Sequence, residues 1–129
     1  MTMEAVQQHW LETYKSLITL SIEGFKFAAL ANGGAAVAVL AYLGNVAGSK
    51  CLHPPDMRIP MGAFLAGLAA CGFAMLFAYL TQLKLLNEGN SPRQPVLRHT
   101  WLLWTAIGLF ATSLAAFGVG SWLAVLRLH

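Results

Sequence analysis

Residues 27–46, FAALANGGAAVAVLAYLGNV, contain no charged side chain. An α-helix needs about 20 such residues to cross the hydrocarbon core of a bilayer. That run constrains the chain more than any other feature, and its composition is unusual for a segment that only faces lipid. Lipid contact rewards bulk, so a simple anchor is rich in Leu and Ile. Here Asn32, Gly33 and Gly34 occupy the first half, and alanines fill much of the rest. Small residues and one amide suit a helix pressed against other helices, where backbones approach closely and the amide finds a partner.

Two further stretches repeat the pattern, residues 61–83 and 101–126. Four-residue spacing places Gly62, Ala66, Ala70, Ala74 and Ala78 along one side of the second, with Ala63, Gly67 and Cys71 in a neighbouring row. In the third, Gly108, Thr112, Ala116 and Gly120 are spaced in the same way. These small-xxx-small faces predict close interhelical van der Waals contact. The third run is longer than a straight crossing requires, which predicts tilt. Tyr42, Trp101, Trp104 and Trp122 fall near span ends, where amphipathic rings anchor at the headgroup level.

Residues 3–24 carry Met3, Val6, Trp10, Leu17 and Leu20 at helical spacing, with Glu4, Gln8, Glu12, Lys15 and Glu23 mostly off that line. They predict an amphipathic helix that continues into the first span, since neither Pro nor Gly interrupts before Gly24. Its polar face is more acidic than basic, whereas surface-lying helices favour Lys and Arg there, so packing against partner copies as a short coiled coil is expected. Phe25 and Lys26 are read as the membrane entry. The block is too long for a signal-peptide core and follows acidic residues, so it is expected to stay in the mature protein.

The fold class expected is therefore an all-α integral membrane three-helix bundle with an amphipathic N-terminal helix, in one domain of 129 residues. Only 10% of residues are charged and 57% are hydrophobic, against roughly 25% charged in soluble domains. The net charge of +3 lies in the flanks of the spans, which reflects membrane topology and gives no reason to expect a nucleic-acid partner. Lys15, Lys26, Lys84, Arg93 and Arg98 fall on one side, and Lys50, Arg58 and Arg127 on the other. The positive-inside rule then predicts a cytoplasmic N-terminus and an external C-terminus.

Turn formers separate the spans: Pro54, Pro55 and Pro60 after the first, Pro92 and Pro95 after the second. Cys51 and Cys71 make no disulfide framework. Cys51, His53 and Asp56 share no rigid element and have no matching pair, so no metal or cofactor is expected. Acids are single, and Ser113 and Thr112 have no base nearby, so catalysis is not expected. A Ser or Thr in such a helix commonly bonds its own preceding turn. Proton relays and ion-coupled carriers place ionisable groups inside the membrane, and the three runs contain none.

The runs LANGGAAVAVLAYLGN (30–45) and FAYLTQLKLLNE (77–88) resemble segments of small bacterial inner-membrane proteins of unassigned function. The resemblance implies a bacterial inner membrane and brings no activity or site residues. The three-span size is similar to that of phage holins, but the strongly basic tail common there is missing. Two functions fit. In one, copies associate as a homo-oligomer that opens a pore or perturbs the membrane, with Asn32 near the constriction. In the other, the protein is a non-conducting anchor or accessory subunit that recruits a partner through its N-terminal helix, and Asn32 joins helices.

Overall fold

A computed structural model describes residues 3–49, 55–89 and 100–128, and these form three helices. Helix α1 runs Met3–Gly48, α2 runs Arg58–Gly89 and α3 runs Thr100–Leu128. All three contain windows long and apolar enough to cross a membrane. The protein is an all-α membrane bundle. Cys51, His53 and Pro54, the turn residues Pro92 and Pro95, and the flanking charges Lys50, Arg93 and Arg98 lie outside the described residues.

The expected N-terminal helix and first span form one continuous helix of 46 residues, about 69 Å long at 1.5 Å per residue. Gly24 does not break it, because a single glycine costs a helix only about 1 kcal/mol, and the position faces the Phe110 ring, which would lie 3.4 Å from an added Cβ. Ser49 ends the helix. Its N–H donates to the carbonyls of Asn45 and Val46 at 3.1 and 3.2 Å, and its hydroxyl donates to Val46 O at 2.9 Å. These bonds satisfy carbonyls that the last turn leaves open. At the start of α2, Asp56 Oδ1 accepts from the Arg58 N–H at 3.1 Å. Pro60 fits in the first turn because its missing N–H has no intrahelical acceptor there.

The bundle is built on an α2–α3 hairpin, with α1 laid more against α2 than α3. Along α2 the buried residues Pro60, Phe64, Gly67, Cys71, Ala74 and Thr81 form one stripe, with Ala78 half-buried between the last two and Ala70 buried beside it. The steps alternate four and three, a mean of 3.5. That period keeps one stripe facing its partner along the whole helix, as in a left-handed coiled coil. On α3 the matching stripe is Leu102, Ala106, Leu109, Ser113, Ala116 and Gly120, of which Leu109 and Ala116 are half-buried.

The four-spaced rows behave differently from expectation. Four residues turn a helix by about 400°, so such a row drifts about 40° per step and leaves the seam within a few turns. Ala70 and Ala74 lie in the interior, while Gly62 and Ala66 at the start of the same row face outward. Likewise Gly120 is buried and Ala116 half-buried, while Gly108 and Thr112 are exposed.

Aromatic rings fill the layers between these small residues. Phe64 packs its ring on Gly120, where an added Cβ would stand 2.8 Å from the ring edge. It also meets Phe117 with centroids 6.1 Å apart. Phe25 of α1 meets Phe110 of α3 edge-on at 5.4 Å. Such contacts stabilise through dispersion, the main term left when lipid is as apolar as the side chains.

Candidate functional site: a buried amide joining three helices

Asn32 is fully buried, flanked one turn away on each side by the buried Ala28 and Ala36. Their small side chains bring α1 close enough for a short amide to reach its neighbours. Asn32 Nδ2 donates to its own helix at Ala28 O (3.0 Å) and to α3 at Ser113 O and Ser113 Oγ (both 3.2 Å). Both amide protons are thereby used between two helices.

The other half of the amide faces α2. Asn32 Oδ1 is buried without a conventional hydrogen-bond partner and lies against Gly67. A Cβ built there would overlap this oxygen, stand 2.7 Å from Asn32 Cγ, and stand 3.1 Å from the Ala116 Cβ. Gly67 is therefore the position where three helices meet, and only a hydrogen fits. A glycine Cα–H directed at an amide oxygen gives a weak hydrogen bond of about 0.5–1 kcal/mol, recurrent at close helix contacts. That offsets part of the cost of an unmade bond, about 1–3 kcal/mol.

Cys71 sits one turn along from Gly67. It is buried and free, and its thiol donates to the Phe25 carbonyl at 3.5 Å. Ser113 behaves unlike three threonines of α2 and α3. Thr81, Thr105 and Thr112 each donate to the carbonyl four residues earlier, at 2.8 Å, whereas Ser113 Oγ accepts from another helix. In the sequence, Ser113 stands as an isolated hydroxyl. Its signal is the seven-residue spacing to both Ala106 and Gly120, which puts it in the seam.

Of the candidate residues, the fold unites Asn32 and Gly67 and leaves the rest apart. Gly33 and Gly34 follow Asn32 but have nothing within 4 Å of where a Cβ would be, and the same holds for Gly108. Thr112 is exposed and bonds only Gly108 O. Tyr42, Trp101, Trp104 and Trp122 are all on the outside. Trp101 marks one end of the hairpin with Phe77, at 6.4 Å between centroids, and with the Lys84 ammonium 5.9 Å from its ring.

At the other end, an open groove of about 580 Å³ lies between Leu40 and Leu43 of α1 and Met57, Arg58 and Met61 at the start of α2. Chemically, the amide, hydroxyl and thiol of the central cluster form a polar clasp. No protein-family model matches the chain, and no curated protein or solved structure matches it either.

Proposed function

We propose that this protein is a non-conducting membrane anchor or accessory subunit that engages a partner through the N-terminal turns of α1. One observation carries the reading: Asn32, the amide that a pore would need on its wall, is fully buried and bonds Ser113 of the same chain. Its donors are spent on holding α1 to α3, and Gly67 closes the remaining side.

The N-terminal turns support the second half of the proposal. No residue of α1 before Gly24 is buried among those described, and Trp10, Leu11 and Tyr14, in its first turns, are all exposed. Exposed Trp and Tyr on a rigid helix are favoured contact residues, because they add area at little cost in side-chain entropy. The excess of Lys and Arg on the N-terminal side supports a cytoplasmic location for these turns. The setting proposed is a bacterial inner membrane.

Ion flux into proteoliposomes separates this reading from a pore. Wild-type protein and the Asn32→Leu variant are both expected to leave vesicles sealed at any applied voltage. Wild-type flux that disappears in Asn32→Leu would establish the pore instead.

A further inference from the structure

Two direct contacts fix how deep α1 sits beside the hairpin. The Phe25 carbonyl meets Cys71 of α2, and the Phe25 ring meets Phe110 of α3. Cys71 lies ten residues after Met61 and twelve before Leu83, about 15 and 18 Å from the ends of the α2 apolar run. Glu23 and Lys26, on either side of Gly24 and Phe25, therefore lie beside the middle of that run. Lys26 was expected at the membrane entry.

These two side chains form an ion pair at 2.8 Å and are 61% and 63% exposed, turned away from α2 and α3. An ionised pair facing hydrocarbon is costly, and intramembrane charges are normally found facing protein or water. Nothing in this chain's described residues covers them.

We propose that the outer face of α1 pairs with the same face of a second copy inserted in the same orientation, Glu23 of each copy bonding Lys26 of the other. The charges are self-complementary. In a parallel pair, each acid lies one three-residue step from the partner's base, about 4.5 Å along the axis, within reach of a lysine side chain. With Lys26 inside the span, Lys15, Lys84, Arg93 and Arg98 on one side still outnumber Lys50, Arg58 and Arg127 on the other, which favours one orientation for all copies.

The line continues into the uncharged part of α1 as Leu30, Gly34, Val37 and Ala41, at steps of four and three, all exposed. Gly34 has nothing within 4 Å of a built Cβ. Alternating large and small residues along an open line lets two helices interdigitate. The occupant is a second copy because the acid and base of one chain supply what the other needs. This pairing goes beyond the anchor reading and holds whether or not the N-terminal turns take a partner.

The test is subunit association of full-length protein in liposomes, read by energy transfer between copies labelled at the C-terminus. Wild-type protein should dimerise. Glu23→Lys and Lys26→Glu should each weaken self-association at least about tenfold, by placing like charges opposite. Mixing the two variants should restore a one-to-one pair, a rescue that a folding defect cannot produce. Gly34→Leu, at a position where an added Cβ meets nothing within 4 Å, should also abolish pairing and covers the case of a charge variant that fails to insert. Wild-type protein that stays monomeric at every protein-to-lipid ratio would overturn the proposal. So would dimers indifferent to both charge variants, a mixture without rescue, or a Gly34→Leu protein that pairs like wild type.

Discussion

Asn32 and Ser113, 81 residues apart in the chain, are joined by two hydrogen bonds from one amide nitrogen, to the Ser113 hydroxyl and to its carbonyl. The carbonyl bond makes the arrangement sturdy, since it survives any rotamer of the serine. It requires a helix thin enough on the third side, which Gly67 supplies. Membrane position, helix packing and the non-conducting reading all converge on this contact.

Adding one methyl group at Gly67 should be costly. Gly67→Ala puts a Cβ into Asn32 and close to Ala116, and overpacking of this kind costs about 1–3 kcal/mol. Gly72→Ala on the same helix has nothing within 4 Å. It should be neutral or stabilising by up to about 1 kcal/mol, from helix propensity alone. Reversible unfolding in mixed micelles compares the two.

Phe64 and Gly120 should be coupled. Gly120→Ala alone forces the Phe64 ring out of its place, since the new Cβ would stand 2.8 to 3.1 Å from three ring atoms. Phe64→Ala alone should cost about 3 kcal/mol or less, because lipid takes the place of water and mainly packing is lost. In the Phe64→Ala background, Gly120→Ala should cost almost nothing. Additive losses in the same unfolding assay would mean that the ring does not rest on the glycine.

Neighbouring positions on α3 should differ sharply in access to lipid. Thr112 is exposed and Ser113 fully buried. Thr112→Cys carrying a spin label in a bilayer should be readily relaxed by dissolved oxygen, with fold and stability near wild type. Ser113→Cys should either resist labelling or lose stability when labelled. Equal oxygen accessibility at both sites would place the seam elsewhere on α3.

The helices were legible in the sequence because uncharged runs of this length have few other places to go. Asn32 was legible as a buried amide for the same reason. Its partner was not. Ser113 sits beside Thr112 with similar chemistry, and only the 3.5-residue register of Ala106, Ser113 and Gly120 tells them apart. Rows spaced by four locate small residues correctly but drift around the helix, so Gly62 and Gly108 turn outward while Ala74 and Gly120 remain inside. Gly33 and Gly34 drew attention by adjacency to Asn32, yet the glycine that receives the amide is Gly67, from a different span. The depth of Glu23 and Lys26 was hidden because hydropathy marks where one helix turns apolar and carries no information on how helices slide past each other.

The most direct test of the account is a double-mutant cycle between Asn32→Leu and Ser113→Ala, measured as unfolding free energy in bicelles. Ser113→Ala keeps the backbone carbonyl, so the cycle isolates the hydroxyl bond, and interhelical polar pairs in membranes average about 0.6 kcal/mol with a ceiling near 1.7. The account predicts a coupling in that range, with Asn32→Leu the more harmful single change because it also loses the carbonyl bond and crowds Gly67. Zero coupling, together with an Asn32→Leu protein as stable as wild type, would contradict it.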